Sequence, residues 1–415
     1  MRTRVSRREF LAGAGGIAVG AAAGGIAVGA AQGNAATADD PHLGFVPFEG
    51  AHQTGITVHP VPAQGLMASF TVLATDRAHL QEMFRELTDE IRGLMAGEPP
   101  EQRDAAYPPT DSGILGPAPA PDNLSVIVSV GASLFDDRYG LADRRPRELV
   151  RMPFIANDRL DPDRSHGDLL LTISAQHTDH VLFALRQLMR RTRRELTLKW
   201  VIDGFNRRSD PTDTSTGSPR NLLGFVDGTA NLHTDAELMN RYVWTAGGTA
   251  GEPAWTTGGS YHVVRVIRML VEFWDRTPLS EQEALIGRHK ISGAPLGGTH
   301  ETDVPDYAAD PKGEVTPLDA HIRLANPRTP ATQDNLILRR GFSYSRGYDG
   351  AGQLDQGLAF VCFQKSIETG FLAVQSRLNG EPLEEYILPE GGGYFFALPG
   401  VATANGYLGQ GMFGD

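Results

Sequence analysis

Apolar positions along the chain fall into periods that spell out the same order of elements twice. Leu66–Leu73 alternates like a half-buried strand, and residues 77–95 (RAHLQEMFRELTDEIRGLM) place Leu80, Phe84, Leu87 and Ile91 on one helical face. Strands are expected at Asn123–Val130 and Asp168–Ala175. A helix capped by Asp179 then runs to about Arg194 with Val181, Leu182, Leu185 and Leu188 inward, and Leu196–Ile202 closes the series. The order β-α-β-β-α-β is ferredoxin-like. A second series follows: a strand at Tyr261–Leu270, a helix at Ser280–Arg288, strands near Leu336–Tyr344 and Leu358–Gln364, a helix at Ile367–Leu378 and a last strand at Tyr394–Leu398. The fold class is therefore α+β, two ferredoxin-like (βαββαβ) halves packed sheet to sheet. The duplication lies in architecture, without a residue-level repeat. The halves are placed at 39–215 and 216–415.

Two stretches fall outside this periodicity. GFVDGTANL (224–232) lies between the halves and holds an acid between glycines. HIRLANPRTPATQDNLILRR (321–340) lies in a long insertion of the second half. Pro327 and Pro330 break a helix there, so His321 is expected on irregular backbone, while Leu336, Ile337 and Leu338 start a buried strand that would carry Arg339 or Arg340 to a defined place. Long ordered insertions in compact domains are usually functional.

Composition narrows the classes. The net charge is −12 over 415 residues; the first 36 carry Arg2, Arg4, Arg7 and Arg8 against Glu9, a net +3, which leaves −15 on the remainder. So acidic a body argues against nucleic acid or an anionic membrane as partner. The single cysteine, Cys362, excludes an internal disulfide framework and a CxxCH haem attachment, and its setting in GLAFVCFQ reads as a buried core position. SRREFL (6–11), followed by Ala/Gly-rich apolar sequence without charge until Asp39, is similar to a twin-arginine export signal, assigned to residues 1–38 with cleavage between Ala31 and Ala38. Export by that route would deliver a folded protein to the periplasm, the cell surface or the medium.

A haem peroxidase needs a neutral imidazole on the iron, a base that moves a proton between the two peroxide oxygens, and a cation for the charge that develops as the O–O bond breaks. His321, Asp227 and Arg339 suit those tasks in that order. Singly they prove little: a lone histidine is commonly a loop hydrogen-bonder, an Asp-Gly pair a turn, and one of two adjacent arginines the partner of a carboxylate. His177 and His180 at a helix start, with His166 just before, also suggest a metal site, against which stands a simple cap and surface-loop reading.

Taken together the motifs are more specific. GFVDGTAN, HIRLANPR, LRRGFSYSRG, GLAFVCFQ, HGDLLLTISA and LNGEPLEEYILPEGGGYFFALPG resemble the dye-decolourising peroxidases over nearly the whole chain, and with the export signal they resemble the exported, EfeB-like branch. The resemblance implies an α+β barrel built from the two halves and one non-covalent haem b per chain. It makes His321 the proximal ligand and metal-binding residue, Asp227 the distal acid and Arg339 the distal arginine. Gly228 and Thr229 would lie against the cofactor, Arg340 would serve a propionate or a structural carboxylate, and Val361 and Phe363 would line the distal side. Glu384 and Glu385 are the candidate acceptors for the proximal imidazole. Gly341 stands where one branch of the family has an asparagine. The implied activity is oxidation of dyes, phenols or ferrous iron by hydrogen peroxide, linked to iron uptake and its partner proteins, with a homodimer as the expected assembly. Release of iron from haem with the porphyrin intact is the alternative enzymatic role, and a non-catalytic haem carrier the alternative from another class. A carrier needs a ligand and an apolar slot, not an acid with an arginine.

Overall fold

The computed structural model describes residues 44–59, 61–207 and 219–414; the export signal and the boundary placed at 215/216 lie outside them. The described residues form one compact unit. Its strands are β1 (Gln64–Val72), β2 (Ser125–Gly131), β3 (Leu169–Ala175), β4 (Leu196–Phe205), β5 (Ser260–Met269), β6 (Leu338–Arg339), β7 (Phe342–Tyr348), β8 (Leu354–Gln364) and β9 (Ile387–Ala397). The helices are α1 (Arg77–Met95), α2 (Thr178–Arg191), α3 (Ala236–Tyr242), α4 (Val271–Trp274), α5 (Leu279–Ile286), α6 (His321–Ala325), α7 (Ala373–Leu378) and α8 (Gln410–Phe413). Among the described residues no helix is long and apolar enough to cross a membrane.

Each half has the expected ferredoxin-like order, β2-β3-β1-β4 in the first and β9-β5-β8-β7 in the second. The halves do not stack face to face. Their edges hydrogen-bond: β2 pairs with β9 through Ser129–Ala397, and β4 meets β7 at Phe205–Ser343, so that the antiparallel sheet closes on itself. Closure satisfies edge groups that two stacked sheets would leave exposed.

Side-chain alternation sorts the strands into an inner and an outer face. Met67, Ile127, Leu170, Ile202, Val264, Ala359, Val361, Phe363 and Phe395 fill the barrel. The outer face of the first half is covered by α1 and α2, whose Leu80, Phe84, Leu87, Ile91, Val181, Ala184 and Leu188 pack on Leu66, Ala68, Val128 and Leu171. Asp76 caps α1 by accepting from the His79 amide. In α2 the cap position is His177 rather than Asp179, and Leu182 points to solvent, because the helix turns its 181–184–188 stripe inward. Over the second half the outer face is left uncovered by long helices, and α5, α6 and α7 instead wall a cavity.

Strand β9 begins seven residues earlier than its apolar run suggests, because Gly391–Gly393 belong to it. A Cβ at Gly392 (φ +109°) would lie 2.0 Å from the Val264 carbonyl oxygen, and one at Gly391 would lie 2.5 Å from that of Arg164. The glycines let β9 pass beneath the 164–166 segment while staying paired to β5, whose register shifts at Val266/Ile267.

Candidate active site

The cavity, about 310 Å³, lies against the outer face of β5, β6 and β8 and is walled by the 221–230 loop and the 305–328 segment. Its lining is largely apolar (Leu223, Phe225, Ile267, Ile286, Leu358 and Phe360 among others), with a few convergent charges, the usual makeup of a small-molecule site.

His321 faces this cavity from the first residue of α6, a five-residue helix where irregular backbone was expected. The prolines act one turn later: Asn326, before Pro327, leaves the helical region (φ −139°, ψ 86°) and ends the helix. The His321 Nδ1 lies 2.8 Å from Oε2 and 3.1 Å from Oε1 of Glu381, a buried carboxylate. Nδ1 therefore carries the proton and donates, and Nε2 is left as the lone-pair nitrogen. Burial acts to depress the pKa of His321, and the Glu381 charge and hydrogen bond outweigh it, so the pKa is raised. The acceptor is thus Glu381. Glu384 and Glu385 sit one turn further on in the same Pro382–Glu385 3₁₀ segment, with Glu384 at the cavity wall and its carbonyl accepting from Asn157.

Asp227 and Arg339 meet at the cavity: the guanidinium donates to Oδ1 across 2.7 Å. Asp227 is held by a loop whose geometry is local. Asn221 Oδ1 accepts from the amides of Leu223 and Phe225, the Asp227 amide donates to the Pro219 carbonyl, and buried Trp274 donates from Nε1 to the Leu223 carbonyl. Gly228 follows at φ +113°, where a side chain would be strained, and its Cα faces open space. Thr229 also lines the cavity and donates to Glu301.

Arg339 is placed by strand alternation. Its backbone belongs to β6, and the Asn231 side-chain amide clamps it on both sides, accepting from the Arg339 N–H at 2.9 Å and donating to its carbonyl at 2.8 Å. Adjacent residues of a strand face opposite ways, so Arg340 turns from the cavity and donates to the Ile56 carbonyl, where burial pulls its pKa down to about 10. Among the described residues it pairs with no carboxylate, and it is not part of the cavity lining. The same alternation corrects Val361 and Phe363, which point into the barrel; Leu358 and Phe360 are the β8 residues on the cavity side. Cys362 is fully buried and absent from the cavity wall.

Sequence reasoning missed Glu381, Asn231, Arg288 and Arg328. Arg288 donates to the Gly293 and Glu301 carbonyls, and burial lowers its pKa, with the nearby charges of Arg328 and Arg339 adding to the effect. Of the charged lining residues, Arg265 is paired with Asp158, Arg339 with Asp227 and His321 with Glu381. Among the described residues, Arg288 and Arg328 are the lining arginines for which no carboxylate lies at salt-bridge distance. No local pattern marks Glu381 or Asn231, because each acts through a partner distant in sequence.

The residues fit a haem. An imidazole with Nε2 free and Nδ1 locked by a carboxylate is the arrangement of a metal-ligating histidine, the slot is apolar, and Arg288 and Arg328 suit anionic propionates.

Two family models match the chain in succession. Residues 53–206 match the family model described as Dyp-type peroxidase, N-terminal, and residues 218–402 match Dyp-type peroxidase, C-terminal. A deferrochelatase of Escherichia coli O6:K15:H31 is 51% identical over 412 residues, covering 98% of this chain and 96% of the relative. One from Yersinia pestis bv. Antiqua is 49% identical over the same length, covering 98% of this chain and 94% of its own. Among solved structures, ferric DtpA from Streptomyces lividans superposes with a TM-score of 0.80 at 36% identity, covering 90% of this chain and 98% of that one. The DyP-type peroxidase from Cellulomonas bogoriensis gives 0.79 at 34%, covering 91% and 100%. With both family models matched in order along one closed barrel, the chain belongs to the Dyp-type peroxidases, and it is a haem-dependent enzyme.

Proposed function

We propose that the protein is an exported peroxidase with one non-covalent haem b, using hydrogen peroxide to oxidise a small-molecule or ferrous-iron donor. The observation that carries this reading is the Asp227–Arg339 pair facing the same cavity as a carboxylate-locked histidine. Cys362, fully buried and not part of the cavity wall, supports non-covalent binding. The twin-arginine-like SRREFL stretch supports export.

The haem, when bound, supplies an iron able to take two oxidising equivalents from peroxide and pass them on singly to donors. The chain's residues do the rest. His321 Nε2 would hold the iron, and the Nδ1–H bond to Glu381 makes that nitrogen a stronger donor. Asp227 has Oδ1 committed to Arg339, which leaves Oδ2 to take a proton from the nearer peroxide oxygen and return it to the farther one. Arg339 offers a fixed positive charge to the departing hydroxide equivalent, which leaves as water once protonated. Arg288 and Arg328 would bind the propionates.

A second reading rests on the relatives named deferrochelatase. Haem is then a substrate: iron leaves the ring, two protons take its place, and Asp227 is the candidate to deliver them. Turnover of a phenolic donor and release of metal-free porphyrin, measured side by side on the haem-loaded protein, separate the two. Peroxide-dependent donor oxidation that falls in Asp227→Asn and Arg339→Leu supports the first; unchanged oxidation in both variants overturns it.

A further inference from the structure

Away from the cavity, the start of α2 and the loop before β2 bring together three side chains that are far apart in sequence. His177 stands at the cap position of α2 and His180 on its first turn, and Asp122 reaches them from the segment preceding β2. Ligand atoms of the three lie within 4.8 Å of one another. None of them lines the haem cavity.

The hydrogen bonding is incomplete in an informative way. Asp122 is almost wholly buried, and its Oδ2 accepts from the backbone amides of Gln176 and His177 at 3.1 and 2.9 Å. Its Oδ1 faces His177 Nδ1 at 2.6 Å. His180 Nε2 lies 3.2 Å from the Ala120 carbonyl oxygen, which can only accept, so this nitrogen carries a proton. In the neutral ring Nδ1 is then a bare lone pair, yet it faces Asp122 Oδ2 at 3.4 Å and Asp179 Oδ1 at 3.2 Å. A lone pair aimed at two carboxylates requires a cation between them, either a second proton on the ring or a metal ion. A histidine whose far nitrogen donates to a backbone carbonyl while the near one faces carboxylates has the tautomer and orientation of a metal ligand.

We propose that Asp122, His177 and His180 form a second metal site, for a divalent first-row transition ion, in which each imidazole binds through Nδ1 and Asp122 through one carboxylate oxygen. Two imidazoles and a carboxylate suit zinc or its neighbours better than calcium or magnesium, which prefer all-oxygen shells. Bonds of about 2.0–2.2 Å put ligand atoms of a four-coordinate ion roughly 3.3–3.6 Å apart, so His177 and Asp122 need only part by about an ångström. The fourth position goes to water or to Asp179. The ion would tie the loop before β2 to the start of α2, joining two segments of the first half.

The test uses the mature haem-loaded protein, stripped of other metals with a chelator and titrated with Zn²⁺ and, for its visible bands, Co²⁺. The expected result is one equivalent of either ion bound and a raised Tm. Changing the ligands His177→Ala and His180→Ala together should weaken binding about 100-fold or more, leaving the haem spectrum and donor oxidation unchanged. The His177 imidazole is exposed and the His180 imidazole largely buried; the haem spectrum reports whether the double variant folds, and His177→Ala alone, with the same expected loss of zinc binding, serves if it does not. Failure of the wild-type protein to bind either ion, or binding undiminished in the double variant, would overturn the site and show that a proton alone satisfies His180.

Discussion

Arg339 and Asp227 form one unit, and their substitution should not be additive. Arg339→Leu removes the fixed cation and frees Asp227 from its partner. A loss of about 10²–10³-fold in kcat/KM for peroxide is expected, with KM for the reducing donor little changed. Asp227→Asn keeps the size and the contact to Arg339 but not the proton exchange, with an expected loss of about 10²–10⁴-fold. A double variant no worse than the poorer single one would show that the pair acts together. Glu381→Gln tests the other side of the cavity: haem should still bind, turnover should drop about 10–100-fold, and the midpoint potential of the iron should rise as the imidazole becomes a weaker donor. A potential unchanged from wild type would contradict that role for Glu381. At this scale the sequence pointed to residue types but not to partners. His321, Asp227 and Arg339 stood in glycine- or proline-framed motifs. Glu381 and Asn231 carry no mark except the geometry that brings them to His321 and Arg339.

Among the elements, legibility followed hydrophobic period. Helix α1 ran over the residues its spacing indicated because four apolar positions per face leave little choice of register. Strand β9 was read too short because GGG looks like a loop until the crossing segments that require it are known. Gly392→Ala should therefore be costly: the left-handed backbone alone costs on the order of 1–3 kcal/mol, and the added methyl collides with the Val264 carbonyl. A fall of several degrees in Tm is expected, and a wild-type Tm would contradict the account of the glycine run. The inward assignment of Val361 and Phe363 was lost for a related reason. An apolar strand buried on both faces carries no alternation in hydrophobicity, so its cavity side is undefined until the barrel is closed. Arg340 followed Arg339 into the wrong face on the same ambiguity.

For the whole molecule, acid is the condition that opposes the fold. Buried His262 has its pKa lowered to about 3 by desolvation, and His166 has its lowered to about 4 by desolvation and by the charges of Arg151 and Lys199. Both stay neutral in the folded state below pH 6.5, where the unfolded chain takes up protons. The unfolded state then binds more protons, so stability decreases as pH falls from about 6.5 towards 4. Denaturant midpoints across that range should drop with pH, and part of the drop should disappear in a His166→Gln variant; a flat profile would contradict the buried-neutral assignment. The two-half architecture could be read from element order, whereas edge-to-edge closure could not, since it depends on β2–β9 and β4–β7 pairings between segments more than a hundred residues apart.

The central claim is that His321 holds a haem iron that reacts with peroxide in a cavity governed by Asp227 and Arg339. The direct test is the absorption spectrum of the haem-loaded wild-type protein and of His321→Ala, before and after one equivalent of hydrogen peroxide. The account predicts a histidine-ligated ferric spectrum in the wild type that changes rapidly with peroxide and returns when a reducing donor is added, and loss of that ligation in the variant. A wild-type haem spectrum indifferent to peroxide, or the same axial-ligand spectrum in His321→Ala, would contradict it.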